Sequence, residues 1–147
     1  MKTLFLLLFP IVLGTIEFPC NALTSPDYSA IRDPHERWRA YGIKSYTILE
    51  RKSCFCLNGG ERVKITVRDN TIVNVQRTNL LSLPREEWSW FLTVEELFDV
   101  VERFDSFAYH SVAYDSRYGY PTEIYVDPLT MVADDEWDVQ VSDLKKN

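Results

Sequence analysis

The sequence predicts an α+β fold in which one main helix packs on one face of a single antiparallel sheet of about six strands. Segments that alternate between apolar and polar residues, as half-buried strands do, recur along the chain. Tight turns join them, which favours antiparallel pairing. One segment, from Val94 to Phe104, carries an apolar stripe at helical spacing and is long enough to cover a sheet face. The predicted order of elements is α-β-β-β-α-β-β-β.

The start of the chain has the pattern of a secretory signal peptide. Lys2 precedes an apolar run, Leu4 to Leu13, that is too short to span a bilayer. Cys20 and Ala22 are small residues at the spacing that precedes a cleavage site, so we expect cleavage after Ala22. The residues before Cys20 do not match those that precede the lipid-modified cysteine of a lipoprotein, so anchoring there is not expected. The predicted division is a signal peptide, 1–22, and a single secreted or periplasmic (extracytoplasmic) domain, 23–147, without a transmembrane segment.

Charge and motif content narrow the classes of function. The chain has 147 residues and a net charge of −6, with no stripe of Lys and Arg. A nucleic-acid partner is therefore not expected, because its phosphates require clustered cations. No nucleophile elbow, phosphate-binding glycine loop or zinc-protease motif occurs in the sequence, so we assign no catalytic residue. The remaining partner class is a protein or peptide.

Local signals place the first four elements. Asp33 caps a helix whose first position is Pro34, and Gly42 ends it after Tyr41. Asn58-Gly59-Gly60 is a hairpin signal between two strands. The strands predicted here are Ser45 to Cys56, Arg62 to Arg68 and Thr71 to Gln76.

The second half begins with a packed connecting loop, Asn79 to Trp90. Thr93 and Glu96 then have the spacing of a capping box, which predicts a helix from Val94 to near Arg103. Alternating segments follow it. The predicted strands are Ala108 to Tyr114, Thr122 to Asp127 and Trp137 to Ser142.

Removal of the signal peptide would leave two cysteines, Cys54 and Cys56. A two-residue hairpin loop would place both on the core face with Val63 and Ile65. In a regular strand their Cβ atoms lie farther apart than the roughly 3.8 Å of a disulfide, so a bond requires a bend. Three interpretations stay open: buried structural cysteines, a local disulfide, or a redox or metal-binding pair.

A tyrosine-rich turn between two predicted strands is a candidate partner-binding site. Gly119 is expected to have a positive φ angle. Tyrosines on a rigid turn offer contact area at low entropic cost, or alternatively close the end of the core with their hydroxyls in water. The candidate residues are Tyr114, Asp115, Tyr118, Gly119, Tyr120 and Pro121.

An acidic segment is a candidate calcium site, since calcium prefers oxygen ligands in loops. No twelve-residue calcium loop is present, and the alternative is a solvated turn at a strand entry. Apart from calcium, no cofactor is expected. The candidate ligands are Asp127, Asp134, Asp135 and Glu136.

The order of several motifs resembles the secreted and lipoprotein family Domain of Unknown Function 6174. The motifs include Cys54-Phe55-Cys56, Thr93 to Phe98 and Tyr118-Gly119-Tyr120-Pro121-Thr122, and the resemblance spans about Asp33 to Leu144. It implies an extracytoplasmic domain and brings no activity, cofactor or catalytic residue. We therefore expect a non-catalytic binding module, with a thiol-disulfide protein and a calcium-binding domain as alternatives.

Overall fold

The structure is a computed structural model that describes residues 26–56, 59–129 and 131–147. The predicted signal peptide lies outside these residues. Two α-helices and six strands follow one another in the predicted order, which confirms the α+β class. They are α1 (Pro34–Tyr41), β1 (Tyr46–Cys54), β2 (Arg62–Arg68), β3 (Thr71–Arg77), α2 (Val94–Val101), β4 (Tyr109–Tyr114), β5 (Pro121–Asp127) and β6 (Trp137–Lys146), with 3-10 turns at Arg85–Trp90 and Phe104–Ser106.

The six strands form one antiparallel sheet in the order β3-β2-β1-β6-β5-β4. The first and last strands of the chain, β1 and β6, pair at its centre along almost their whole length. They join a β1-β2-β3 meander to a β4-β5-β6 meander. Consequently the C-terminal end of β1 lies beside the beginning of β6, where Cys54 is opposite Trp137.

The predicted helix caps are present. The Glu36 amide donates to Asp33 Oδ1 at 2.7 Å, and Gly42 ends α1 with a φ of 58°. At α2, the Thr93 amide donates to Glu96 Oε2 at 2.7 Å, completing the capping box. This helix ends at Val101, before the predicted Arg103, and the chain continues into a 3-10 turn.

Both helices cover the same face of the sheet. Trp38 of α1 and Leu97 of α2 are buried, as are Tyr46, Ile65 and Val139 of the strands beneath them. Side chains alternate along β2, where Arg62, Lys64 and Arg68 are exposed and point away from the helices. The opposite face therefore has no helix on it among the described residues, and we call it the open face.

The predicted hairpin joins β1 to β2, but the prediction of a two-residue loop is wrong. Arg51 pairs with Arg62, so partner numbers sum to an odd total as predicted, but the pairing strands stop at Cys54 and resume only at Arg62. The reason is that β1 ends at Cys54 and the chain bends at the cysteines, with the Gly60 amide donating to the Lys52 carbonyl oxygen at 2.7 Å. The loop is longer than two residues, and Cys56 lies outside the strand.

Candidate binding surface

Cys54 and Cys56 form a disulfide with 5.2 Å between their Cα atoms. This separation lies within the usual range for a disulfide, and the bend after β1 makes it attainable. Both cysteines are half-buried rather than part of the core, and Phe55 between them is 89% exposed. The local disulfide, one of the three interpretations, is the one present in the structure.

A groove of about 330 Å³ lies beside this disulfide, between the end of β1 and the strands β5 and β6. Its lining includes three aromatic side chains, Phe55, Tyr125 and Trp137. It also includes three acidic ones, Asp134, Glu136 and Asp138. Such a lining suits a ligand group that is positively charged and carries apolar surface.

The tyrosine-rich turn packs against α1. Tyr120 is 6% exposed, with its ring 6.2 Å from that of Trp38. The Tyr118 ring lies 4.9 Å from that of Tyr41, and the Arg37 guanidinium donates to the Ser116 carbonyl oxygen at 2.7 Å. The turn thus holds the first helix on the sheet.

Of the six residues predicted to bind a partner, three are buried and three are half-buried. Gly119 has the expected positive φ, 86°. Partner binding by this turn stays a prediction, and it would depend on the half-buried part of the turn. The buried residues are Gly119, Tyr120 and Pro121, and the half-buried ones are Tyr114, Asp115 and Tyr118.

Three of the four acidic candidates, Asp127, Asp135 and Glu136, act electrostatically on Tyr125. Burial, followed by the charges of Asp127 and Glu136, raises the pKa of Tyr125. In the part of the chain that the structure describes, no three His, Cys, Asp or Glu side chains are grouped as metal ligands. Asp127 Oδ1 and Asp135 Oδ1 are buried and accept no hydrogen bond from the described residues. Asp134 is exposed.

Sequence reasoning missed a fully buried carboxyl group, Glu50. It lies at the core face of β1, where the Leu92 amide donates to both of its oxygens at 3.3 Å. Burial raises its pKa to about 8, against the opposing effects of the Leu92 amide and Lys52. The predicted register that placed Cys54 on the core face also places Glu50 there, since both are even-numbered positions of β1. The register alone was therefore sufficient to predict that the Glu50 carboxyl is buried.

Lys52, also at the core face of β1, lies close to two tryptophans. Its Nζ atom is 5.2 Å from the centre of the Trp137 ring and 5.9 Å from that of Trp90. Burial lowers the pKa of Lys52. Cation–π contact holds this cation against the aromatic rings, near the same end of the sheet as the disulfide.

Exposed apolar residues are concentrated at the end of the sheet where β1 ends and β6 begins. Nine large apolar side chains are exposed among the described residues, and seven of them either begin a strand or lie in a connecting segment at this end. Leu80 and Leu81 follow β3. The other five, which we call the apolar end, are Phe55, Tyr109, Leu129, Met131 and Val132.

The fold and this surface define a small α+β domain with a one-sided sheet and an apolar end beside an acidic groove. In the described residues, no helix is long and apolar enough to cross a membrane. A family model described as Family of unknown function (DUF6174) matches residues 30–146, so the chain belongs to this family. This confirms the resemblance seen in the sequence. Neither the curated proteins nor the solved structures include a match.

Proposed function

We propose that this protein is an exported, non-catalytic module that binds a segment of another protein at the apolar end. The observation that carries the proposal is the exposure of large side chains there, with Met131 94% and Phe55 89% exposed. Large apolar side chains exposed at one end of a domain are characteristic of interaction sites, because leaving them in water is unfavourable. Cleavage of a signal peptide near Ala22 is part of this proposal.

Substitution of the apolar end tests the proposal. Peptides from a random display library would be selected on the wild-type protein and then measured against the double variant Phe55→Ser and Met131→Ser. We expect the double variant to bind them at least about tenfold more weakly, because truncating central apolar contacts removes much of the binding energy. Fluorescence anisotropy with labelled peptides measures the affinities.

Val73→Ser is the matched control, because Val73 is an exposed apolar residue, 41% accessible, within β3. It should leave the affinities unchanged. If the double variant and the control bind the selected peptides equally well, the apolar end is not the binding surface.

A thiol-disulfide function is the second candidate, favoured by the position of the disulfide. The bond joins residues two apart and therefore closes too small a loop to reduce the entropy of the unfolded chain substantially. In such a reaction a partner dithiol would be oxidised to a disulfide while the Cys54–Cys56 bond is reduced to two thiols. The partner's two protons and two electrons pass to the cysteine sulfurs.

Equilibration of the protein with glutathione redox buffers tests the thiol-disulfide function. A redox role predicts that the intact mass after alkylation shows a mixture of unlabelled and doubly labelled protein within the glutathione range of potentials. The Cys54→Ser and Cys56→Ser double variant is the unlabelled control. Retention of the disulfide throughout that range, with labelling only under stronger reductants, excludes the redox candidate.

A further inference from the structure

The two edges of the sheet differ in how they are covered. The free edge of β3 is bonded by the segment that follows it: the Leu83 amide donates to the Val75 carbonyl oxygen, and the Arg77 amide to that of Leu81, both at 2.9 Å. The other edge strand, β4, pairs only with β5 among the described residues. Within the described ranges, the fold therefore leaves one edge of the sheet open.

Three residues of β4 direct their backbone polar groups to this open edge. The Ala108 amide donates to the Pro128 carbonyl oxygen at 3.3 Å, and the register continues with His110 opposite Val126. Since backbone direction alternates along a strand, the intervening residues point away from β5. They are Tyr109, Ser111 and Ala113.

The β4 sequence lacks the residues that usually protect an edge, although a register shift, as at a β-bulge, lies at its end between Ala113 and Tyr114. Tyr-His-Ser-Val-Ala-Tyr contains no Lys, no acidic residue and no Pro, although these are the residues that commonly prevent a further strand from pairing. The strand begins at Tyr109, which is also part of the apolar end. An added strand would therefore start at the surface proposed above.

The charges beside β4 favour a basic partner. On the open face, Tyr109 lies opposite Asp127 and Ala113 lies opposite Glu123. Asp138 follows on β6, opposite Tyr125, and none of these three carboxylates forms an ion pair within the described chain. The Tyr109 and Tyr125 rings lie 5.8 Å apart on this face and add a surface for cation–π contact.

We propose that β4 binds an extended, basic peptide segment as a seventh, antiparallel strand, with its lysine or arginine residues on the open face. This inference rests on the proposed binding function and specifies its mode and its partner. Residues of the segment opposite Tyr109, Ser111 and Ala113 share their face and exchange backbone hydrogen bonds with them. The β5 carboxylates are two strand spacings away, about 10 Å, within reach of long basic side chains.

A second copy of the chain is the competing occupant. Two copies would each bring a net charge of −6 and would place acidic β5 strands on both sides of the joined edge. A basic segment instead complements the unpaired carboxylates, which favours it over self-association.

The probe is an acetylated and amidated eight-residue peptide of alternating valine and lysine, with an alternating valine and glutamate peptide for comparison. We expect only the lysine peptide to bind, and Ser111→Pro to weaken its binding at least about tenfold by removing one outward N–H. Ser111→Thr keeps this N–H and should bind as the wild type does. Since the Ser111 N–H points away from β5, proline there leaves the existing pairing intact.

Methylated peptides test the same point on the unaltered protein, so that a folding defect of Ser111→Pro does not prevent a decision. Methylation of the lysine backbone nitrogens should abolish binding, whereas methylation of the valine nitrogens, which face away from β4, should not. The inference is overturned if the lysine peptide does not bind, or if methylation of the lysine nitrogens and methylation of the valine nitrogens weaken binding equally. It is also overturned if sedimentation shows a dimer of the protein that the peptide does not dissociate. Peptides that depend on Phe55 and Met131 but not on Ser111 would leave the proposed function standing while excluding strand addition.

Discussion

Replacing Glu50 by glutamine is expected to stabilise the protein at pH 9 and to leave its stability at pH 4 almost unchanged. The carboxyl group is fully buried, and its pKa is raised from 4.5 to about 8. Below pH 4.5 the group is protonated in the folded and the unfolded protein. Between pH 4.5 and 8 only the unfolded chain releases the proton, so the free energy of unfolding falls as the pH rises through this window.

The full pKa difference corresponds to a loss on the order of 5 kcal/mol above pH 8, which glutamine avoids while still accepting the Leu92 N–H bond. Lys52 on the same strand and Glu96 on α2 face this group and oppose each other in their effect on its pKa. Urea denaturation at pH 4, 7 and 9 measures the difference. Glu123→Gln, an exposed change, should retain the wild-type pH dependence. If Glu50→Gln lowers stability equally at every pH, the carboxyl has the same pKa in the folded and the unfolded protein and the explanation is wrong.

Substitution of Gly119 by alanine should be strongly destabilising. Gly119 has a φ of 86°, and a Cβ atom there would overlap the Pro34 carbonyl oxygen at the start of α1. That oxygen belongs to the backbone, so the contact is relieved only by moving the helix away from the turn. We expect a loss of at least about 3 kcal/mol in the free energy of unfolding, measured by chemical denaturation.

Gly42→Ala separates the two causes of this loss, which are the positive φ and the overlap of the added Cβ atom with the Pro34 carbonyl oxygen. Gly42 also has a positive φ, 58°, but an added Cβ atom there would meet nothing within 4 Å. Its substitution should therefore cost only about 1 kcal/mol, from backbone conformation alone. Equal losses for the two variants would mean that the turn does not hold α1 as described.

Local sequence signals were sufficient for most of the elements. Asp33 and Gly42 bound the first helix, Thr93 and Glu96 begin the second, and strict alternation gives β2 its observed limits. These features depend on residues that are close together in the sequence, so they can be predicted without knowledge of the fold.

Features that depend on distant pairing were not predictable in this way. The β1-β6 pairing, which joins the two meanders and leaves β4 at an edge, links residues about ninety positions apart, and no local pattern specifies it. Likewise, the bend at the disulfide lengthens the first hairpin loop beyond the predicted two residues. The packing of Tyr120 against Trp38 buries a residue for which the local sequence left both an exposed contact and a place at the end of the core open. The candidate binding surface combines these non-local features.

Amide hydrogen exchange, measured residue by residue by NMR with and without the valine–lysine peptide, tests the central claim most directly. We predict that saturating peptide slows exchange of the Tyr109, Ser111 and Ala113 amides at least about tenfold, because their N–H groups become hydrogen-bonded. Exchange at Thr71, at the start of the opposite edge strand, should not change. Binding without protection of the three β4 amides would contradict strand addition at this edge.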